Sequence, residues 1–210
     1  LDALFSKITQ FIVKLLPFAV FGSVANMVVT TDISGLSALS SWLLMMVLCF
    51  VGVFLTYMLL LMILAKLNPL RYLKNYAKAI LTSMTTCSSA ATMPTSMMCC
   101  EKMGVSPFIY KFSIPLGSTV NMDGTSFFLT ISTFFLANIC GITIPASMIV
   151  TLLLTVLLLS VAAPGVPGAA IACLTMLLSI ANVPIESVSL IIGGYTLFDC
   201  LLTTSNIMGD

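Results

Sequence analysis

Long apolar runs broken by short polar stretches set the first picture of this chain. Residues 1–29 read as one apolar helix with Lys7 and Lys14 near its start, followed by a polar turn at 32–37. Residues 38–67 form a second run, long enough to cross the ~30 Å of hydrocarbon in a bilayer with some tilt. Beyond it the pattern changes. Residues 79–104 are apolar at both ends but hold Thr85, Thr86, Ser88, Ser89, Thr92 and Pro94 in their middle. Residues 143–181 are long and apolar, and break at Ala162-Ala163-Pro164-Gly165-Val166-Pro167-Gly168. Between these two lies a helical segment over 107–140, interrupted at Asn121-Met122-Asp123-Gly124-Thr125; a polar-striped helix over 184–210 ends the chain. Proline and glycine at membrane depth leave backbone groups unpaired, which is tolerated only where protein or a water-filled cavity satisfies them.

Composition agrees with a membrane chain: 60% of residues are apolar and 7% are charged. The near-neutral net charge argues against nucleic-acid binding. The absence of histidine removes the commonest general base and metal ligand. The seven cysteines show no CxxC pair and read as small buried hydrophobes. Lys66, Arg71, Lys74 and Lys78 form the densest positive cluster, which the positive-inside rule puts in the cytoplasm; Lys102 and Lys111 repeat that bias. The turns near 32–37, 140–145 and 181–187 carry no lysine or arginine and read as external. Residues 79–104 thus enter from the inside as a re-entrant hairpin, and 143–181 from the outside. Each hairpin is followed by one interrupted or polar-faced helix. The fold predicted is an all-α membrane protein, with transmembrane helices and two re-entrant helical hairpins in an inverted repeat. Such repeats, with broken helices meeting near the midplane, are the usual construction of a secondary transporter. The chain does not begin with methionine and stops inside a polar motif, so it reads as an internal piece of a longer protein.

Charge adds the chemistry. Asp123, Asp199 and Asp210 lie in nearly apolar surroundings, and a carboxylate at the bilayer centre costs about 2.5–3.5 kcal/mol on lenient insertion scales. Asp199, Thr203, Asn206 and Asp210 fall at i, i+4, i+7 and i+11, within an arc of roughly 60° at helical spacing. This stripe offers oxygens to a hard cation and a counter-charge to an ammonium group; the competing reading is a seam that hydrogen-bonds neighbouring helices. Thr119, Asn121, Asp123 and Thr125 alternate at period two, which predicts an extended interruption that frees carbonyls beside an aspartate. Gly117 and Gly124 flank it. A glycine kink with incidental polar packing is the plainer alternative. The Ser88-Ser89 tip suits either helix packing or a helix N-terminus that cradles a carboxylate.

Ser88-Ser89-Ala90-Ala91-Thr92-Met93-Pro94, Asn121-Met122-Asp123-Gly124-Thr125, Gly165-Val166-Pro167-Gly168 and Asp199…Thr203…Asn206…Gly209-Asp210 together carry a resemblance. The chain resembles the dicarboxylate/amino acid:cation symporters, the glutamate transporter family, over essentially its whole length. The resemblance implies that residues 1–37 are a scaffold-type helix and external turn, corresponding to the fifth membrane helix. It makes 38–210 a transport domain running into the eighth. It implies no cofactor, Na⁺ as the coupling ion, a homotrimer and a multi-pass place in the cell membrane. Substrate would touch Cys87, Ser89, Thr125, Val166, Asp199, Thr203 and Asn206, with Asp199 taking its amino group. One Na⁺ site would use the Gly117, Asn121 and Asn206 carbonyls with the Asp210 carboxylate. A second would use Thr119 with the carbonyls of Ser160, Val161 and Ala163. A third would use Asn121 and Asp123.

Two departures bear on the substrate. Acidic-substrate members carry arginine where this chain has Leu202, and leucine offers no bidentate fork to a side-chain carboxylate. Members of the family often have an acid at the position of Tyr195. The resulting expectation is Na⁺-coupled symport of a small neutral amino acid, the alternative being an acidic amino acid or dicarboxylate driven by H⁺ or Na⁺. A serine hydrolase lacks a base near Ser88 or Ser89. A channel with two re-entrant loops favours weak open sites rather than paired buried acids.

Overall fold

The computed structural model describes residues 33–210, together with Phe18, Phe21, Gly22, Ala25 and Val29. The expected helix over 1–29 therefore lies outside the described residues. Among those described, every regular element is helical: α1 (Ile33–Ile63), α2 (Pro69–Thr86), α3 (Ser89–Lys102), α4 (Pro107–Val120), α5 (Asp123–Ile139), α6 (Ala146–Ala162), α7 (Ala169–Ile180), a 3₁₀ segment (Ile185–Leu190) and α8 (Ile192–Gly209).

The helix α1 carries a 27-residue apolar stretch, Ser37–Ile63, with a mean hydropathy of 2.6, which at 1.5 Å per residue is ample for a bilayer crossing. Leu39, Trp42 and Met46 recur at helical spacing and are buried, while Leu44, Leu48, Val51, Leu55, Leu59 and Ile63 face outward. One narrow stripe thus meets protein, and the remainder suits lipid. The helix begins at Ile33, inside the predicted turn at 32–37, and its serines bond to carbonyls of their own helix: Ser40 Oγ donates to Ser37 O at 2.6 Å and Ser41 Oγ to Ala38 O at 2.6 Å. It also ends before 67. Pro69 disfavours helix at the preceding residue, and Asn68 instead caps α2, its Oδ1 accepting from Leu70 N at 2.9 Å and Arg71 N at 3.4 Å. Arg71, Lys74 and Lys78 consequently lie on a helix rather than in a loop, and the first helical pair starts ten residues before the expected 79.

Three interruptions follow. Cys87 turns α2 into α3 with a left-handed backbone, φ 47°, and Ser88 caps α3 by accepting from Ala91 N at 3.1 Å. Between α4 and α5 only Asn121 and Met122 leave the helix. The predicted extended alternation over 119–125 is thus corrected: Thr119 ends one helix while Asp123 and Thr125 begin the next, at helical and not strand period. The break between α6 and α7 occupies residues 163–168, where Pro164 and Pro167 cannot donate and Gly168 takes φ 82°. A 3₁₀ turn and Ile191 precede α8 where one continuous helix from 184 was expected.

The core gathers Trp42 with Phe128, Leu129, Leu136, Leu174, Leu177, Ile191 and Leu202, from α1, α5, α7 and α8. A smaller cluster joins Tyr76, Ala79, Cys99, Tyr110, Ile114 and Ile207. Trp42 sits where α1, α5 and α8 meet. Its ring lies 5.9 Å from Phe198 and 6.5 Å from Phe128, and its indole N–H donates to Ser132 Oγ at 3.1 Å. Gly194 is required there, since a Cβ would stand 2.8 Å from the indole. All seven cysteines are free thiols. Trp42→Ala is expected to cost about 3–5 kcal/mol, the range for deleting a fully buried aromatic. Ser132→Ala, which strands one indole N–H, is expected to cost about 1–3 kcal/mol. Thermal unfolding of the complete protein in detergent measures both.

Candidate functional site

Two turns, one helix break and one helix stripe converge. The α2–α3 turn and the α6–α7 loop touch directly: Ser88 Oγ donates to Gly165 O at 2.6 Å, and Ala90 N donates to the same oxygen at 3.2 Å. Gly165 allows this approach, because a Cβ there would stand 3.2 Å from Ala90 N and 3.3 Å from Ser89 Cβ. The carbonyl of one turn thereby caps the helix that leaves the other.

Beneath the contact lies a cavity of about 20 Å³, roughly what a single water needs. Its lining includes Cys87, Ser89, Thr125, Val166, Asp199, Thr203 and Asn206, so the structure brings together all seven residues expected at a substrate site. Met122, Gly165 and Leu202 line it as well. Leu202 is 2% exposed and belongs to the main core. Asp199 supplies the cavity's one charged side chain. Its Oδ1 accepts from the Tyr195 hydroxyl at 2.8 Å and its Oδ2 from Gly168 N at 3.1 Å. Thr203 turns its hydroxyl back to Asp199 O at 2.9 Å.

A second polar cluster surrounds the α4–α5 break. Asn206 reaches across with both ends of its amide: Oδ1 accepts from Gly124 N at 2.7 Å, and Nδ2 contacts Met122 Sδ at 3.2 Å. Asn121 Nδ2 donates to Asn206 O at 2.8 Å. The Tyr57 hydroxyl donates to Asp123 Oδ2. Asp210 packs beside Gly117, where a Cβ would stand 2.9 Å from Oδ1. That Oδ1 is buried with no hydrogen-bond partner. Five of the nine residues expected at cation sites, Gly117, Asn121, Asp123, Asn206 and Asp210, therefore share one neighbourhood. Two of the expected donors are differently engaged: the Asn206 carbonyl holds the Asn121 amide, and one Asp123 oxygen holds a phenol.

The other four lie at helix ends. Thr119 is exposed, with its hydroxyl on Leu116 O at 2.8 Å. Ser160, Val161 and Ala163 end α6, which packs against α4; Ser160 Oγ donates to Leu157 O at 2.9 Å and Val161 is exposed. No group of three or more His, Cys, Asp or Glu that could hold a metal occurs among the described residues. Carbonyls, amides and single carboxylates suit only a hard cation.

Sequence reasoning missed Tyr57, Gly165 and Gly168 as partners. Tyr57 had a faint signal, a lone phenol in an apolar helix. Tyr195 had a clear one, since it lies one helical turn before Asp199. The ends of α8 are held likewise: Tyr76 donates to Ile207 O at 3.0 Å and Tyr72 to Met208 O at 3.4 Å.

The family model for the sodium:dicarboxylate symporters matches residues 1–210. The chain belongs to the sodium:dicarboxylate symporter family. Members of this family are integral membrane proteins and transporters, not enzymes. Mouse excitatory amino acid transporter 3 is 37% identical over 153 residues, covering 72% of this chain and 29% of that protein. Human excitatory amino acid transporter 2 is 32% identical over 160 residues, 76% of this chain and 28% of that protein. Mouse neutral amino acid transporter B(0) is 36% identical over 144 residues, 68% of this chain and 26% of that protein. The symporter chain in hand thus matches about three tenths of the length of these curated relatives.

The α5–α8 crossing on which this site is built depends on Gly124, because a Cβ there would collide with the Leu202 carbonyl. Gly124→Ala is expected to cost about 1–3 kcal/mol by forcing the helices apart. Gly52→Ala, where nothing lies within 4 Å, is expected to be neutral or to stabilise by up to about 1 kcal/mol. Melting temperatures of the two variants give the comparison.

Proposed function

We propose that the chain forms the substrate and cation sites of a Na⁺-coupled symporter for a small neutral amino acid. The observation that carries this reading is the small cavity whose only charged side chain is Asp199. An amino acid presents one ammonium and one carboxylate. Asp199 is the counter-charge for the first. Ser89, at the start of α3, suits the second through its hydroxyl and the helix dipole. A third charge, on an acidic side chain, would meet Leu202 and Cys87, which bring no cation. That argues for a neutral side chain, packed beside Val166, Thr125, Thr203 and Asn206.

The helical pairs α2–α3 and α6–α7 act as two re-entrant hairpins, related as an inverted repeat, whose tips meet at mid-membrane. Residues 1–37 would belong to a scaffold and 38–210 to the moving transport domain, within a homotrimer. Na⁺ would be held by Gly117, Asn121, Asp123, Asn206 and Asp210 around the α4–α5 break, and by Thr119 with the α6 end at Ser160, Val161 and Ala163. The orphaned Asp210 Oδ1 supports the first group, since a buried anion without a partner is costly. Cation and amino acid each neutralise charge that the other needs buried, which couples their binding reciprocally. Neighbouring relatives named as excitatory amino acid transporters favour the second reading, an acidic substrate.

Counterflow of radiolabelled amino acids by the complete protein in proteoliposomes tests the choice. Na⁺-dependent exchange of alanine or serine, with aspartate at least tenfold weaker, is the expected outcome. Preference for aspartate overturns the neutral reading, and Na⁺-independent leak without exchange stimulation favours a channel. Leu202→Arg is expected to shift the preference towards aspartate by tenfold or more, the scale of one charge-assisted hydrogen bond. Asp199→Asn is expected to abolish exchange of either class.

A further inference from the structure

The loop between α6 and α7 is fastened to the rest of the protein by few polar contacts. Its other hydrogen bonds are local, such as Val166 N to Pro164 O at 2.8 Å and Ala169 N to Val166 O at 3.3 Å. Among the described residues it reaches outward at two points. One is Gly165 O, held by Ser88 and Ala90. The other is Gly168 N–H, held by Asp199 Oδ2. Gly168 has φ 82° and caps α7, so the carboxylate also faces the positive end of a helix.

The second fastening depends on a third residue. Asp199 is only partly buried, and a free carboxylate has several side-chain orientations available. The Tyr195 hydroxyl takes Oδ1 from one helical turn back, leaving Oδ2 turned to the loop. Tyr195 is itself fixed, being 4% exposed with its ring 4.8 Å from that of Phe128. Core packing thus sets the phenol, the phenol sets the carboxylate, and the carboxylate holds the loop.

The cavity below has about 20 Å³, too little for any amino acid, so the loop has to lift before substrate arrives. An incoming ammonium would seek the same Asp199 oxygen that the Gly168 amide now occupies. From this competition we infer that Asp199 is a latch shared by the loop and the substrate, with Tyr195 as its positioning residue. With the loop in this position, the Gly168 amide takes the oxygen that the ammonium would take. The latch rests on the reading that Asp199 receives the amino group.

Hydrogen exchange of residues 163–170, measured on the complete protein in nanodiscs without Na⁺ or amino acid, tests it. Tyr195→Phe keeps the ring and removes the donor; exchange there is expected to rise about tenfold, as one hydrogen bond to a charged group is lost. Tyr195→Gln keeps a donor at i−4 and removes the ring; it is expected to restore near wild-type protection. An unchanged rate in Tyr195→Phe overturns the latch. So does acceleration in Tyr195→Gln with Tyr195→Phe silent, the pattern of mere ring packing. Exchange in residues 69–86 and the melting temperature serve as folding controls. A second arm adds L-alanine with NaCl, where Tyr195→Phe is expected to leave the apparent Kd within about threefold, because the loop and the ammonium lose the same positioned oxygen. If the loop responds as expected but alanine never binds, the proposed substrate falls and the loop's fastening stands. If alanine binds and the loop ignores Tyr195, the latch alone falls.

Discussion

Backbone that leaves a helix away from water has to find its hydrogen-bond partners within the protein, and here the turn after α2 and the loop after α6 find them in one another. Gly165 O, released by a loop with two prolines, accepts from Ser88 and Ala90 at the start of α3. A buried carbonyl left unpaired costs several kcal/mol, so the two turns support one another. The same rule governs the α4–α5 break, where Asn206 reaches across from α8 to the amide of Gly124. The candidate substrate residues line the cavity between these interruptions.

The role of α8 follows from that arrangement. It is buried on all sides from Leu202 to Met208, which lets one helix serve the cavity through Asp199 and Thr203 and the break through Asn206 and Asp210. Gly124 and Gly194 make this possible by allowing the Leu202 backbone and the Trp42 ring to approach closely. Polar side chains on such a helix are held by backbone acceptors or neighbouring elements: Thr204 Oγ1 lies 2.9 Å from Ser83 Oγ. Among the described residues few buried side chains remain unsatisfied, and Asp210 is the one with a charge. A buried carboxylate without a partner is costly, which sets Asp210 apart from the hydroxyls around it.

Much of this was legible in the residues. Apolar runs of spanning length, with prolines and glycines interrupting them, located the break at 163–168 and the tip at Cys87-Ser88. The stripe from Asp199 to Asp210 followed from helical spacing alone. Boundaries were less legible. The α2 helix starts at Pro69 because Asn68 caps it, and a cluster of arginine and lysine looks the same in a loop as on the exposed face of a helix. The alternation of Thr119, Asn121, Asp123 and Thr125 suggested an extended segment, whereas neighbouring helices supplied partners that let all but Asn121 and Met122 stay helical.

The order of elements, the membrane character and the family were written in the residues themselves, because periodicity, composition and motif are local properties. Which polar groups meet was not. Tyr57 and Asp123 are brought together from helices far apart in the chain, and Gly168 closes on Asp199 from a different element. Contacts of that kind depend on how helices pack and how closely glycines let them approach, which no single segment encodes; only the assembled fold decides them.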